Sequence, residues 1–398
     1  MKTIIIIFFS IFISLKAYCW PDSDLLPPMG WEPWNIDHCG NSSKWDAEYY
    51  KKLVDFFVSS GLRDLGYQYL TIECNDHYRD SSGKIHPNPE KFPNGFKPLT
   101  DYIHSKGMKV RAYTDAGKGK CCCFDTGSFG HYEDDAKSWA ESGFDGVKID
   151  WCGGSNEKLD PKTQFYEFIA AIKKYNKEFS VEICTWGVGN PWEWGRYAGT
   201  MWRTCADVDW CEDQKNFIGG CFSSLVRNIN ANRHPDKEFV GPGKGWNYAD
   251  MLLVGIKQGL KEIEERSQFS MWAIMASPLF LGNDVFSMSE ATKNILMNKE
   301  VIDVDQDPLG VQGDVVKEYN NGIIQIWEKD LFDGSKAVAL FNKNNETQII
   351  TVNWSDIGIS GDYKIRDLWE HADKGISNNQ FSAEVSAHGT TMLKISNK

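Results

Sequence analysis

The sequence lacks the features that mark several large classes of protein. No glycine-rich turn of the GxGxxG or GxxxxGK[ST] type follows a predicted strand, so a nucleotide cofactor has no evident binding loop. The 43 Lys and Arg residues are outnumbered by 55 Asp and Glu, which gives a formal charge of −12. Because no basic stripe offsets this charge, neither a nucleic acid nor an anionic membrane is expected as a partner.

Cysteine never occurs as a CxxC pair or at the Cys/His spacing of a zinc finger. The 11 cysteines are spread along the chain, which favours disulfide bonds. The run Cys121-Cys122-Cys123 allows a metal or redox role as an alternative. Adjacent side chains point in different directions, however, and would make a poor ligand set. We therefore expect neither a metal nor an organic cofactor.

Long apolar runs are confined to the N-terminus. Lys2 precedes the apolar segment Ile4–Leu15, and Ala17-Tyr18-Cys19 places small residues at the spacing of a cleavage site. The segment is too short to span a bilayer, so residues 1–19 are predicted to be a signal peptide. This predicts a secreted or lysosomal protein with no membrane span. Three glycosylation sequons fit the same route, at Asn41, Asn345 and Asn353.

Apolar and aromatic residues are abundant enough for a large core. Hydrophobic residues make up 41% of the chain and charged residues 25%, which are ordinary values for a globular protein. The 16 Trp, 15 Tyr and 22 Phe are expected mostly in that core. Flat aromatic faces also stack on sugar rings, so this composition slightly favours a carbohydrate site.

The order of predicted elements indicates the architecture. From about residue 28 to residue 300, short β-prone runs alternate with amphipathic helical stretches at a period of about 30 to 40 residues. About eight such units favour a (β/α)8 TIM barrel over an open sheet. The predicted strands include Tyr67–Ile72, Met108–Tyr113, Gly146–Asp150 and Ser180–Cys184. The predicted helices include Trp45–Ser60, Asp134–Ser142 and Lys162–Tyr175.

The pattern changes after Pro308-Leu309-Gly310. Short strands separated by turns then predict a small antiparallel β-sandwich domain. The expected strands are Gly322–Trp327, Lys336–Phe341, Thr347–Asn353, Gly361–Leu368 and Thr390–Ile395. We therefore expect the barrel to occupy residues 20–308 and the second domain residues 309–398.

Two carboxylates are predicted at the reactive end of the barrel, where strands of this fold carry functional groups. Alternation along the fourth strand places Lys148 and Asp150 on the inner face. A lysine beside a carboxylate favours its ionised form, as a nucleophile requires, although a structural ion pair explains the pattern equally well. Asp207 follows two βα units later, and a pair of carboxylates flanking one cleft is typical of glycoside hydrolysis.

Two neighbours of Asp207 complicate this assignment. Arg203 is expected either to hold a sugar hydroxyl or to form a salt bridge at the barrel mouth, and the pattern does not decide between these roles. Asp209 is close enough in the chain to be a rival acid.

These residues and a series of ordered blocks closely resemble glycoside hydrolase family 27, the α-galactosidases and α-N-acetylgalactosaminidases. The resemblance covers nearly the whole mature chain. Its blocks are Pro28-Met29-Gly30-Trp31, Phe92-Pro93-Asn94-Gly95, His104-Ser105-Lys106-Gly107, Gly127-Ser128-Phe129-Gly130, Lys148-Ile149-Asp150, Trp202-Arg203, Gly241-Pro242-Gly243, Asp250-Met251-Leu252, Trp272-Ala273-Ile274-Met275 and Asp305-Gln306-Asp307-Pro308-Leu309-Gly310.

The resemblance implies roles for individual residues. Asp150 matches the nucleophile, Asp207 the acid/base and Trp34 the aromatic platform under the sugar. Other residues match the wall of the same pocket: Tyr113, Lys148, Arg203 and Asp250. The family also implies the disulfides Cys121–Cys152 and Cys39–Cys74, whereas Cys211–Cys221 is inferred only from their proximity in sequence.

Three departures from the family pattern affect the walls that select the sugar. Two adjacent aspartates usually follow the second strand, but here Glu73 supplies one carboxylate and the second is missing or displaced to Asp76. After the fifth strand, Cys184-Thr185-Trp186 has Thr185 where α-galactosidases carry Glu and N-acetylgalactosaminidases Ser. Tyr248 stands where the family usually has Asp.

The sequence therefore predicts a retaining exo-glycoside hydrolase that releases terminal α-galactose. The substrate-binding set is predicted as Trp34, Glu73, Tyr113, Lys148, Thr185, Trp186, Arg203 and Asp250. Alternatives are an α-N-acetylgalactosaminidase, an α-glycosidase for another pyranose, and a secreted glycan-binding protein without activity. The partner is expected to be a carbohydrate. The oligomeric state is left open, with a homodimer as one alternative.

Overall fold

The structure, a computed structural model, describes residues 24–38, 44–74, 76–121, 126–208, 220–233, 237–256 and 259–398. The predicted signal peptide, Cys39, Asn41, Asp209 and Cys211 lie outside the described residues. No helix within these ranges is long and apolar enough to cross a membrane.

The secondary structure of the described residues is as follows. The strands are β1 (Met29–Trp31), β2 (Tyr69–Thr71), β3 (His77–Arg79), β4 (Ile85–Pro87), β5 (Lys109–Asp115), β6 (Gly146–Asp150), β7 (Ser180–Ile183), β8 (Met201–Arg203), β9 (Trp246–Tyr248), β10 (Leu279–Leu281), β11 (Asp314–Tyr319), β12 (Ile324–Asp330), β13 (Lys336–Asn342), β14 (Gln348–Asn353), β15 (Asp362–Asp367), β16 (Ala372–Asn378), β17 (Gln380–Val385) and β18 (Thr390–Asn397). The α-helices are α1 (Trp34–Asp37), α2 (Ala47–Ser60), α3 (Lys97–Ser105), α4 (Tyr132–Glu141), α5 (Cys152–Asn156), α6 (Pro161–Tyr175), α7 (Pro191–Trp194), α8 (Gly220–Arg233), α9 (Glu262–Ile274), α10 (Glu290–Leu296) and α11 (Lys299–Asp305).

Eight parallel strands form the predicted TIM barrel. Their order in the sheet is β10-β1-β2-β5-β6-β7-β8-β9. A parallel bridge between Leu252, which follows β9, and Leu281 of β10 closes the cylinder. Because β3 and β4 form a hairpin of their own, β6 is the fourth barrel strand and β8 is the sixth. The parallel strands therefore bring residues 150 and 207 to the same end of the barrel.

The outer helices begin and end where the sequence supplies caps. In α2, the buried residues Tyr50, Leu53, Val54 and Phe57 follow the helical period and form one apolar face. The carboxylate of Asp46 accepts a hydrogen bond from Tyr49 N at 2.7 Å and caps its first turn. The helix ends at Gly61, whose φ of 85° allows the left-handed cap. Asp160 caps α6 in the same way.

The C-terminal part confirms the predicted β-sandwich. A six-stranded antiparallel sheet, β11-β12-β13-β18-β15-β16, packs against the two-stranded sheet β14-β17. Alternate side chains of β13 point to different cores because the strand period is two. Val338 and Leu340 pack inside the sandwich. Ala339 and Phe341 join the core shared with the barrel.

Three strands of this part were not predicted from the sequence, namely β11, β16 and β17. The side chains of β11 and β16 are largely exposed, so these two strands lack the alternation of apolar and polar residues on which strand prediction depends. β17 does alternate, with Phe381, Ala383 and Val385 packed on the sandwich core, so its sequence pattern was available and was missed. β11 and β16 are the two edges of the six-stranded sheet. Their position explains the weak signal, since an edge strand buries less of its surface.

Two predicted glycosylation sites lie in this part of the chain. Asn345 is exposed, and its Oδ1 lies 2.8 Å from His388 Nε2. Asn353 is half-buried, and its Nδ2 donates to Asp356 Oδ2 at 2.9 Å. Glycosylation at these positions stays a prediction.

Candidate active site

A cavity of about 320 Å³ opens at the carboxyl ends of the barrel strands. Apart from Lys148, which lies within β6, the residues that line it follow strands β1, β2, β5, β6, β7, β8 and β9, or end them. They are Trp34, Asn35, His38, Glu73, Cys121, Lys148, Asp150, Cys152, Cys184, Trp186, Arg203, Asp207, Val208, Asp250 and Met251. Both predicted catalytic carboxylates therefore face one cavity.

Asp150, the last residue of β6, is buried and held on both oxygens. Tyr113 donates its hydroxyl to Asp150 Oδ2 at 2.9 Å, and Trp151 N donates to Oδ1 at 3.0 Å. Burial raises the pKa of Asp150, the ammonium of Lys148 opposes this shift, and the charge of Asp207 adds to it. Asp150 and Asp207 repel each other because both line the same cavity.

Lys148 lies on the inner face of β6 as predicted, but its direct partners are different residues. Its Nζ lies 2.9 Å from Glu32 Oε2 and 3.6 Å from Glu73 Oε2. It therefore acts on Asp150 through its electric field rather than through a direct ion pair, and it lowers the pKa of that carboxyl. The ion pair of Lys148 is therefore formed with Glu32 rather than with Asp150, and its charge favours the ionised form of Asp150 from a greater distance.

The ion pair of Lys148 belongs to a buried network that the sequence analysis missed. Arg111 Nη2 lies 2.6 Å from Glu32 Oε1 and also pairs with Glu182. Burial raises the pKa of Glu182 to about 7, against the opposing field of Arg111. Alternation could have found Arg111, since it lies two residues before Tyr113 on β5 and shares its face.

Asp207 lies in a more open environment than Asp150. Its side chain is 51% exposed, and its Oδ1 accepts a hydrogen bond from Arg203 Nη2 at 2.8 Å. The other terminal nitrogen of Arg203 lies 2.9 Å from Asp250 Oδ1. Arg203 therefore joins two carboxylates at the cavity wall, as the salt-bridge alternative predicts, and its contact with a sugar hydroxyl stays a prediction.

Asp250 occupies an unusual backbone conformation, with a φ of 98°. Its Oδ2 accepts a hydrogen bond from Val208 N at 2.6 Å and its Oδ1 one from Met251 N at 2.8 Å. Burial raises its pKa to about 6, and Arg203 opposes that shift. Positive φ in a non-glycine residue costs free energy and often occurs at functional sites. Trp186, another wall residue, also has a positive φ, of 53°.

Glu73 reaches the cavity, but Asp76 does not. Glu73 Oε2 is buried and has no hydrogen-bond partner. Burial raises the pKa of Glu73 to about 8, Lys148 opposes the shift, and Glu32 adds to it. Asp76 is absent from the cavity wall, and its carboxylate pairs with Lys120 at 3.0 Å and His77 at 2.7 Å. The missing second carboxylate of the pocket is therefore not replaced by Asp76.

Six of the eight predicted substrate-binding residues line the cavity, and two do not. Tyr113 lies beneath Asp150 and contacts it instead. Thr185 is fully buried, and its hydroxyl has no hydrogen-bond partner. The chain turns at this point, where Trp186 and Gly187 both have positive φ, so Trp186 faces the cavity while Thr185 packs away from it. Thr185 therefore lies off the cavity wall, and its contact with the sugar stays a prediction.

The cysteines confirm one of the implied disulfides. Cys121 and Cys152 are bonded with an S–S distance of 2.01 Å and join the ends of β5 and β6. Cys74 and Cys221 are also disulfide-bonded, and their predicted partners lie outside the described residues. Within the described part of the chain, Asp115, Cys121 and Cys152 come close enough to suggest a metal site. The two sulfurs are bonded to each other, however, so they are not thiolate ligands.

Asp115 is a further carboxylate that the sequence analysis missed. It ends β5 opposite Asp150, and its oxygens accept hydrogen bonds from the backbone N–H groups of Gly117, Gly153 and Gly154. Burial raises its pKa to about 7, and the charge of Asp150 adds to the shift. These hydrogen bonds hold the loop after β5 and the start of α5, the two segments that the disulfide joins. This indicates a structural role for Asp115.

The comparisons with known proteins agree with this arrangement. A family model described as "Alpha galactosidase A" matches residues 26–307, and one described as "Alpha galactosidase C-terminal beta sandwich domain" matches residues 321–395. The chain belongs to the alpha-galactosidase family. An alpha-galactosidase from Oryza sativa subsp. japonica is 39% identical over 370 residues, which cover 92% of this chain and 84% of the rice protein.

A second relative is similar in sequence, and a solved structure is similar in fold. An alpha-galactosidase from Cyamopsis tetragonoloba is 38% identical over 370 residues and covers 92% of this chain and 85% of its own. The crystal structure of alpha-galactosidase I from Mortierella vinacea superposes with a TM-score of 0.83 at 30% identity, covering 94% of this chain and 97% of that one. Family membership makes a carbohydrate the expected substrate class.

Proposed function

We propose that the protein is a secreted or lysosomal retaining exo-α-galactosidase, with residues 20–308 as its catalytic domain. The observation that carries this proposal is the pair of carboxylates, Asp150 and Asp207, on the wall of one cavity. Their environments differ, since Asp150 is buried and oriented on both oxygens while Asp207 is half-exposed beside Arg203. This difference suits two separate roles.

The reaction proceeds in two balanced steps. A carboxylate oxygen of Asp150 forms a bond to the anomeric carbon of galactose as the bond to the leaving oxygen breaks, and Asp207 gives that oxygen a proton. Water then attacks the same carbon, transfers its proton to Asp207 and displaces Asp150. Each step inverts the anomeric carbon, so the product keeps the α configuration. Lys148 and Tyr113 support the charge of Asp150 before the first step.

The cavity walls supply the sugar contacts. Trp34 and Trp186 offer apolar ring faces, and Glu73, Arg203 and Asp250 offer polar groups. Discrimination among sugars depends on fully paired hydroxyl groups. Because only Glu73 replaces the usual two carboxylates, we expect weaker selection for the axial hydroxyl of galactose than in typical family members. The N-acetylgalactosaminidase alternative gains no support from Thr185, because this residue lies off the cavity wall.

A panel of aryl α-glycosides tests the substrate assignment. The galactoside should be hydrolysed with the highest kcat/KM, ahead of the N-acetylgalactosaminide and the glucoside. Early product followed by proton NMR should be the α-anomer. Early β-anomer would contradict the double displacement. No turnover of any glycoside would leave the glycan-binding alternative.

Two variants test the catalytic roles. Asp150→Ala should lose turnover on every substrate, because no group remains to attack the sugar. Asp207→Ala should also lose turnover on natural substrates but should still form glycosyl-enzyme from an activated aryl galactoside, which needs little protonation and is seen by intact-protein mass spectrometry. Asp134→Ala, at an exposed position of α4, is the control and should behave as the wild type.

A further inference from the structure

A buried cluster of ionisable residues lies beside the catalytic cavity without lining it. Asp76 lies between two partners, with Oδ1 3.0 Å from Lys120 Nζ and Oδ2 2.7 Å from His77 Nδ1. The three side chains are between 1% and 3% exposed. A buried ion pair adds little net stability, because the cost of desolvating two charges offsets their attraction. The contacts of Lys120 with its neighbours indicate another role.

Lys120 lies against the residue that orients the nucleophile. Its Nζ is 5.1 Å from the centroid of the Tyr113 ring, and Lys148 Nζ is 5.6 Å from the same centroid. Tyr113 donates its hydroxyl to Asp150 Oδ2. An ammonium group near an aromatic face is attracted to the ring and polarises it, which makes the phenol a stronger hydrogen-bond donor.

Lys120 is also the residue immediately before Cys121. The Sγ of Cys121 lies 3.1 Å from Asp150 Oδ2, the same oxygen that accepts from Tyr113. Through its pair with Asp76, Lys120 anchors the segment that carries this sulfur. Both groups that touch Oδ2 therefore depend on the position of one lysine side chain.

We propose that Lys120, held in place by Asp76, is a positioning residue for the nucleophile Asp150. It fixes the Tyr113 hydroxyl and the Cys121 sulfur against Oδ2, and its charge favours the ionised carboxylate. The inference rests on the proposed function, in which Asp150 attacks the sugar. It gives Asp76 a role other than binding substrate.

The charges around Asp150 determine the expected pH effects. Lys148 on β6 and Tyr113 on β5 favour the ionised form. The charge of Asp207, after β8, opposes it. Asp115 on β5, Glu73 after β2 and Cys184 after β7 also face Asp150, but burial raises their own pKa values, so each opposes ionisation of Asp150 only at a pH where it is itself charged. Loss of the positive charge of Lys120 should make Asp150 harder to ionise. Loss of the negative charge of Asp76 should have the opposite effect, because it leaves Lys120 uncompensated.

The test compares Lys120→Met, Lys120→Arg and Asp76→Asn on an aryl α-galactoside. Lys120→Met should lower kcat about tenfold with KM changed less than about twofold, since the interaction acts on the transition state. The acid limb of kcat/KM should move to higher pH in Lys120→Met and to lower pH in Asp76→Asn. Lys120→Arg should restore most of the lost rate. In a Tyr113→Phe background, which lacks the hydroxyl to be positioned, Lys120→Met should have a smaller further effect on kcat, because only the Cys121 contact and the charge of Lys120 remain to be lost.

Lys329→Met is the matched control, because Lys329 is another buried lysine and lies away from the cavity. Its kinetics and pH profile should equal those of the wild type. Wild-type kcat and an unmoved acid limb in Lys120→Met would overturn the inference, and so would additive effects of Lys120→Met and Tyr113→Phe. Either result alongside an inactive Asp150→Ala would leave the proposed function intact.

A readout that does not need turnover separates the two proposals. The carboxyl carbon of Asp150 can be titrated by NMR in protein with ¹³C-labelled aspartate and assigned by its absence in Asp150→Asn. Lys120→Met should raise the pKa of Asp150 relative to the wild type, even for a protein that hydrolyses none of the glycosides. An unchanged pKa would contradict the inference. Should Lys120→Met fail to fold, the opposite shift in Asp76→Asn carries the test.

Discussion

Carboxyl groups at this site lie in different surroundings. Asp150, Asp207 and Glu73 all carry carboxyl groups, yet Asp207 is half-exposed beside Arg203 while the other two are buried. Burial disfavours the charged form of a carboxyl group. The strongest consequence is at Glu73, where burial raises the pKa to about 8. We therefore predict that this carboxyl is neutral at acidic and neutral pH and donates a hydrogen bond to a sugar hydroxyl.

For the single residue Glu73, we predict that galactose binding depends on the proton of its carboxyl group. Wild-type affinity for galactose, measured by calorimetry, should fall about tenfold between pH 6 and pH 9 as Glu73 ionises beside the sugar. Glu73→Gln keeps a neutral donor and acceptor of the same size, so its affinity should stay nearly constant over this range. Glu262→Gln, an exposed position, should retain the wild-type profile. A wild-type affinity that is the same at both pH values would contradict a protonated Glu73.

Secondary-structure elements determine where these side chains point. The period of two along β5 and β6 directs Arg111, Tyr113 and Asp115 of one strand, and Lys148 and Asp150 of the other, to the same side. Beyond the strands, the Cys121–Cys152 disulfide joins the loop after β5 to the start of α5. This bond lies directly against Asp150, which couples the stability of the strand ends to the chemistry of the site.

For these elements, we predict that the double variant Cys121→Ser/Cys152→Ser loses both stability and activity. The bond closes a loop with a sequence separation of 31, so its loss should destabilise the fold by about 3 to 4 kcal/mol through the larger entropy of the unfolded chain. kcat should also fall, because the loop after β5 and the start of α5 are then no longer joined to each other beside Asp150. Denaturant unfolding and aryl-galactoside kinetics measure the two effects. Cys205→Ser, at a free cysteine, is the control and should change neither.

At the scale of the whole molecule, the C-terminal sheet and the barrel share one core. Phe341 and Ala339 on β13 and Trp327 on β12 are buried in the same cluster as the barrel residues. Hydrogen bonds cross the contact, including Lys329 Nζ to Val304 O at 2.6 Å and Asn298 Nδ2 to Leu368 O at 2.9 Å. A large apolar contact of this kind makes two parts of a chain unfold together.

We predict that Phe341→Ala destabilises the whole molecule by about 3 to 5 kcal/mol, because it leaves a cavity in the shared core. Calorimetry should show one transition, shifted to lower temperature, in both the wild type and the variant. Ile349→Ala removes an exposed apolar side chain of β14 and should leave the transition temperature unchanged. Two separate transitions, with only one of them shifted by Phe341→Ala, would show that the two parts unfold independently.

The sequence by itself determined the family, the barrel and the faces of its strands. These properties follow from local patterns: the period of two along each strand, the helical period between strands, and ordered motifs that are independent of distant contacts. For this reason Asp150, Lys148 and Arg203 could be placed on the cavity from the sequence alone. The edge strands β11 and β16 could not be found, because exposed strands carry little periodicity.

Only the tertiary structure decided which charged group pairs with which. Lys148 binds Glu32, 116 residues earlier in the chain, and Asp76 binds Lys120, 44 residues later. It also turned Thr185 away from the cavity and left Glu73 as a buried carboxyl without a hydrogen-bond partner for one oxygen. Such pairings depend on distances of a few ångströms between strand ends, since the interaction of two charges varies with their separation and burial. Closure of the barrel fixes those distances, and no local pattern of residues encodes them.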